Sequence, residues 1–302
     1  MKEEQQRIQE FINYLALERR LSPYTLRNYS QAIARFFSWA RSNQWDGRIN
    51  VINSKIVRDF VIESQRTLSR RTLHNHISAL RTFYRYLLKR KAVMANPFQG
   101  LVLPKLRKSL PKFLTEFQIR ELLESPMRLL DNERNSPFQA WRDRLVLELL
   151  YGGGLRVSEL VSLNYGMIDN DSGVARIWGK GNKERLCPLG KVAHACLTKF
   201  RAEFALQSSY NSPVLVSDSG KRMTVRQVQK LVKCYLAIAG LPMDMSPHKI
   251  RHSYATHLIN NGADLRIVQD LLGHASLSTT QIYTHIGIAR LKQVHQGAHP
   301  RA

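Results

Sequence analysis

The sequence predicts a mainly α-helical protein of two domains, with one small antiparallel β-sheet in the second. Three observations carry that expectation. Apolar residues recur at helical spacing through the first hundred positions, a proline-punctuated basic stretch interrupts the pattern from 97 to 112, and beyond it only one segment alternates like a hairpin. A chain of 302 residues, 43% of them hydrophobic, is long enough to bury two cores. The boundaries that follow are a helical domain over 1–96, a basic linker over 97–112 and a second domain over 113–302.

The first helix is marked by Ile8, Phe11, Ile12 and Leu15. Ser22 followed by Pro23 reads as an N-cap and first helical position, opening a second helix carried by Leu26, Tyr29, Ile33, Phe36 and Phe37. In "SRRTLHNHISALRTFYRYLLKR", Leu73, Ile77, Leu80, Tyr84 and Leu87 form one stripe, while Arg71, His74, Ser78, Arg81 and Arg85 form another about 200° away at the helical step of about 100° per residue. One face packs and the opposite face is basic. Pro97, Gly100, Pro104 and Pro111 then break any helix, with Lys105, Arg107, Lys108 and Lys112 adding charge. Thr115 and Gln118 have capping-box spacing and open the second domain. Within it, "GVARIWGKGNKERLCPL" places two strand-like runs on either side of a Gly-Asn turn.

Charge narrows the function. Lys and Arg total 46 against 23 acidic residues, a formal charge of +23, and residues 1–112 hold 22 of the bases and 7 of the acids. Such an excess calls for a polyanion, with nucleic acid the first candidate and the N-terminal third the stronger clamp. On this ground Arg70, Arg71, Arg81, Arg85 and Lys105, with Lys183 and Arg185 in the hairpin, are expected to bind DNA. Cys187, Cys196 and Cys234 lack metal-ligand spacing and read as buried, reduced thiols. No leader-like opening and no run of about 18 apolar residues occurs, so the expected compartment is the cytoplasm.

Four clusters in the second domain could carry chemistry. "YGGGLRVSELVSL" leads three glycines into Arg156 but lacks the Gly-Lys-Ser/Thr of a nucleotide-binding loop. The hairpin turn holds Lys180 between glycines, "PHKIRHSYATHLI" holds His248 and Arg251, and "LLGHASLSTTQIYTH" holds His274 and Tyr283. Each alone has an ordinary structural explanation. Together they supply what attack on a phosphodiester requires: a phenol nucleophile, imidazoles and a lysine to move protons, and two arginines whose forks can meet the oxygens of a pentacoordinate phosphate. His248 and His252 stand one helical turn apart like two zinc ligands, but Lys249 follows His248 where a zinc hydrolase has glutamate, and Arg251 lies beside them. No metal and no cofactor are expected.

These motifs resemble those of the tyrosine site-specific recombinases, the integrase family, and within it the Xer type. The likeness runs along nearly the whole chain through "ERRLSPYTLRNY", "GLRVSELVSL", "GKGNKERLCPLG", "SPHKIRHSYATHL", "LLGHASLSTTQIYTH" and the terminal "HPRA". It implies catalytic roles for Arg156, Lys180, His248, Arg251, His274 and Tyr283, with Tyr283 the nucleophile that forms a 3′-phosphotyrosyl link. The separations are 23 residues from Arg251 to His274 and 9 from there to Tyr283. It further implies a SAM-like N-terminal DNA-binding domain, a C-shaped two-domain clamp, and a homo- or hetero-tetramer with a related recombinase acting through a Holliday junction. Also implied are a DNA translocase of the FtsK type as partner and the bacterial nucleoid as location. Glu159 is expected to orient Arg156 or else to sit on a helix surface. The tail, with Ile286, Ile288, Leu291 and Val294, is expected to dock into a neighbouring subunit or to pack on its own chain. Resolution of chromosome or plasmid dimers is the implied task; a mobile-element integrase, a type IB topoisomerase and a protein that only occupies DNA stay open at this point.

Overall fold

The computed structural model describes residues 2–46, 48–106, 112–179, 184–273 and 285–301. Contacts divide the chain into two compact units, Met1–Ser109 and Leu110–Ala302.

The first unit is built from α1 (Lys2–Asn13, continued by a π-helical turn over Tyr14–Glu18), α2 (Pro23–Ser42), α3 (Ser54–Thr67) and α4 (Arg70–Lys89). The caps explain the starts. Ser22 Oγ accepts the amide of Thr25 at 3.3 Å ahead of Pro23, and Ser69 Oγ accepts that of Thr72 at 3.1 Å. The apolar stripe of α4 is wholly buried, and its rings and methyls meet Phe11, Phe36, Phe37 and Phe60 in one core. Helix α3 was not isolated by the spacing argument, because its buried stripe of Val57, Phe60 and Val61 ends on the polar Ser64.

Residues 97–106 of the stretch expected to be a basic interdomain linker belong to this unit. Phe98 is fully buried in this core, its ring centroid 5.3 Å from that of Phe36 and 5.2 Å from that of Tyr84. Arg81 donates from Nε to the carbonyl of Phe98 at 3.1 Å and from Nη2 to that of Leu101 at 3.3 Å. His74 Nε2 meets the carbonyl of Pro104 at 2.9 Å, and Asn96 donates to the carbonyl of Arg81 at 3.0 Å. A segment without its own ladder must satisfy its carbonyls elsewhere, and the long polar side chains of α4 do so.

The second unit comprises α5 (Glu116–Asp131), α6 (Pro137–Gly152), α7 (Val157–Ser162), β1 (Ile168–Asp169), β2 (Val174–Trp178), β3 (Glu184–Pro188), α8 (Lys191–Phe204), α9 (Val225–Ile238), α10 (Pro247–Asn260), α11 (Leu265–Leu272) and α12 (His285–Ala298). The Thr115–Gln118 capping box opens α5 as expected. The three strands pair antiparallel in the order β1-β2-β3, with Trp178 opposite Glu184 and Ile177 opposite Arg185 across the hairpin. Helix α6 is buried nearly all round, a central rod against which α5, α8 and α10 pack. Among the described residues, no helix is long and apolar enough to cross a membrane.

Helix α12 packs on its own chain, against α10, α11 and β3, with Leu291 in the core. The docking side is polar as well as apolar. His295 Nε2 meets the carbonyl of Gly152 at 3.0 Å, its ring stacks on His299 with centroids 4.7 Å apart, and Arg301 forms a fork on the fully buried carboxylate of Glu148. Ile286 and Ile288 lie outside the described side chains.

Candidate active site

The site forms where the ends of α6, α7, α10 and α11 meet β3. Three glycines end α6 because the backbone there must pass a ring: Gly154 has φ +54°, and a Cβ on it would lie 2.7 Å from Tyr254 of α10. This turn brings Arg156 to the head of α7, where its side chain is 37% exposed. Glu159, one turn on, reaches back: Oε2 accepts the Arg156 amide at 2.8 Å and Oε1 accepts Nη1 at 2.7 Å. The second Nη of Arg156 donates to the carbonyl of Gly273 at 3.1 Å.

Ser246 and Pro247 start α10, which presents His248 to solvent and turns Arg251 inward. The Arg251 guanidinium is 5% exposed overall, bonds the carbonyls of Gly154 and Leu272, and lies 3.5 Å from Glu159 Oε2. Its pKa is pushed down to about 10 by burial first, then by the neighbouring Arg156 and Arg185. It remains a cation at neutral pH.

Of the residues singled out in the sequence, the structure brings Arg156, Glu159 and Arg251 together. Glu159 is buried and orients arginine, so the helix-surface alternative is set aside. Lys180, Lys183, His274 and Tyr283 lie outside the described residues, as do Arg107 and Lys108. Arg70, Arg71, Arg85 and Lys105 are exposed on the first unit. Two expected DNA-binding side chains stand elsewhere. Arg81 is half-buried on the carbonyls of Phe98 and Leu101, and Arg185 is 3% exposed with Nη2 2.7 Å from Glu159 Oε2. Alternation along β3 carried the signal: Arg185 shares its strand face with the buried Cys187.

Cys187 donates to the carbonyl of Gly153 at 2.9 Å, and burial raises its pKa and that of Cys196, the latter to about 12. Cys234, expected to be buried, is exposed. His257 is buried, its Nδ1 paired with Tyr151 Oη at 2.8 Å. Among the described residues, no three His, Cys, Asp or Glu side chains group as a metal site needs.

A helical framework gathers arginines from separate elements around one buried carboxylate, on a strongly basic chain, an arrangement suited to a phosphodiester backbone. Residues 112–289 match the phage integrase family and residues 8–91 match the phage integrase N-terminal SAM-like domain; the chain belongs to the phage integrase family. It is 39% identical over 307 residues to tyrosine recombinase XerC of Pelotomaculum thermopropionicum, covering 98% of both chains. It is 40% identical over 300 residues to tyrosine recombinase XerC of Proteus mirabilis, covering 98% of this chain and 94% of that one. Among solved structures, the XerH site-specific recombinase in a post-cleavage complex with palindromic difH substrate aligns with a TM-score of 0.70 at 25% identity, over 91% of this chain and 80% of that one. A lambda integrase dimer bound to a COC′ core site shares the fold, with a TM-score of 0.70 at 18% identity over 92% and 98% of the two chains. The chain is a tyrosine recombinase, an enzyme that cuts and rejoins DNA at specific sites.

Proposed function

We propose that the protein exchanges DNA strands through a 3′-phosphotyrosyl intermediate, with Tyr283 as nucleophile. The observation that carries this is the gathering of Arg156 and Arg251 around the buried carboxylate of Glu159. The Tyr283 oxygen attacks the scissile phosphorus, the bond from phosphorus to the 5′ oxygen breaks, and a proton passes to that oxygen, for which Lys180 is the donor. His248 and His274 hold or move protons at the phosphate and the phenol. Arg156 and Arg251 meet the charge that develops on the non-bridging oxygens. A 5′-hydroxyl from a partner duplex then attacks the phosphotyrosine and releases Tyr283, and the bond energy is conserved without ATP. Two such rounds pass through a Holliday junction.

Arg70, Arg71, Arg85 and Lys105 bind the DNA backbone; their exposure on a unit of high positive charge supports this. Four subunits, alike or paired with a related recombinase, act on two sites in the bacterial cytoplasm to resolve chromosome or plasmid dimers, under a DNA translocase of the FtsK type. The likeness to XerC relatives over nearly the whole chain supports this assignment over mobile-element integration.

A nicked suicide duplex bearing the cognate site tests the chemistry. The native protein is expected to accumulate a covalent protein–DNA adduct that survives denaturation, and Tyr283→Phe to form none. Failure of the native protein to form an adduct on a site it binds contradicts the proposal.

A further inference from the structure

Arg185 has no place in the mechanism above, yet its surroundings are those of a working group. It stands on β3 with a side chain only 4% exposed, too enclosed to touch DNA. Its Nη2 donates to Glu159 Oε2 at 2.7 Å, while Nε and Nη1 have no hydrogen-bond partner among the described residues. A buried cation with idle donors is costly to the fold, so its presence asks for a compensating role. Its stem also lies against the end of α11: a Cβ on Gly273 would come within 2.6 Å of Arg185 Cδ. Gly273 is the residue before His274, and its carbonyl is the one that Arg156 bonds.

Among the described residues, the charges around Glu159 do not balance. One carboxylate faces three guanidiniums, those of Arg156, Arg185 and Arg251, which leaves a net charge of +2 on the group. A phosphodiester brings one negative charge to such a site, and its pentacoordinate transition state brings two. Without Arg185 this cluster taken alone would carry the single positive charge that offsets a ground-state phosphodiester; with it, the cluster carries the two that offset the transition state. Arg185 also competes for Glu159 Oε2, which stands 3.5 Å from Arg251, so its loss would let that oxygen close on Arg251 and withdraw a donor from the phosphate.

We propose that Arg185 is a positioning residue of the strand-transfer reaction, a third guanidinium that holds Glu159 between Arg156 and Arg251 and keeps the site one charge more positive than the bound phosphate. The proposal rests on the phosphoryl-transfer reading above. The test compares two nicked suicide substrates, one with a native scissile phosphate and one with a methylphosphonate, in which a neutral methyl replaces one anionic oxygen. On the native substrate Arg185→Gln is expected to slow single-turnover adduct formation about 100-fold, the size seen when one preorganised donor is removed, with DNA affinity changed less than about twofold. Arg185→Lys, which keeps the charge, recovers about tenfold of that loss. On the methylphosphonate the Arg185→Gln deficit shrinks to less than about tenfold, because the missing protein charge and the missing substrate charge offset each other. Arg185→Met, which keeps the apolar stem, carries the same comparison if thermal unfolding shows that Arg185→Gln does not fold. An equal deficit on both substrates, or a fall in rate matched by a fall in affinity, overturns the proposal. A native protein that forms no adduct on a bound native site overturns the phosphoryl-transfer reading itself, and this proposal with it.

Discussion

Both units of this recombinase concentrate arginine, and they do so in opposite ways. On the first, Arg70, Arg71 and Arg85 stand exposed, each facing water on its own. On the second, Arg156, Arg185 and Arg251 converge on the single carboxylate of Glu159, and only Arg156 is much open to solvent. Exposed cations act through screened, nearly independent contacts, so they tune affinity in small increments. Buried cations share a partner in a low dielectric, so they act as a unit and tune chemistry. On the proposed reading, the same residue type has two functions, separated by burial and by who else holds the charge.

The sharpest way to break this contrast is at Glu159. Glu159→Gln removes the carboxylate shared by Arg156 and the buried Arg185 and Arg251, and is expected to destabilise the protein by about 3–5 kcal/mol, read as a lowered denaturation midpoint, and to suppress adduct formation. A loss below about 1 kcal/mol, the range of exposed pairs, would mean the cluster behaves as a surface network. Gly154→Ala comes next. It places a β-carbon at φ +54° and 2.7 Å from the Tyr254 ring, and should cost about 2–3 kcal/mol while displacing Arg156. Equilibrium unfolding and the adduct assay report both effects.

The packing beneath the second cluster is expected to respond to pH. Burial lowers the pKa of His295 and, more strongly, of His299, from an ordinary value near 6.5. In the unfolded chain these imidazoles take up protons below that pH while the folded chain resists, so stability is full above about 6.5 and falls as the pH drops through it. The unfolding free energy should therefore decline between about pH 7 and pH 5, at up to about 1.4 kcal/mol per pH unit for each such histidine, read as a falling melting temperature, and His299→Asn should flatten the decline. An unchanged slope in that variant would place the acid sensitivity elsewhere. The smallest effect belongs to the first unit. Arg85→Ala should weaken DNA binding modestly and reduce the slope of log affinity against log salt by about 1, with the adduct rate at saturating DNA unchanged.

Much of the fold is legible in local chemistry. Ser22-Pro23, the Thr115–Gln118 box and the stripe from Leu73 to Leu87 each dictate structure through neighbours within a few residues. Glu159 and Arg156 are legible as a pair for the same reason, being one helical turn apart. What escaped depends on distant partners. Nothing near Arg81 in sequence announces that the carbonyls of Phe98 and Leu101 will claim its guanidinium. The burial of Arg185 follows from strand alternation, but its pairing with Glu159 requires β3 to pack beside α7. The stack of His295 on His299, and the fork of Arg301 on Glu148, likewise arise only when α12 folds back on α6 and α10.

The division between the two arginine groups is tested most directly by measuring affinity and single-turnover adduct rate separately, on one nicked substrate, for Arg251→Gln and Arg85→Ala. The account predicts that Arg251→Gln lowers the rate at saturating DNA by about 100-fold or more with affinity nearly intact, and that Arg85→Ala lowers affinity with the saturated rate intact. If Arg251→Gln instead loses only affinity and reaches the native rate at saturation, the buried cluster is a binding surface like the other, and the account is wrong.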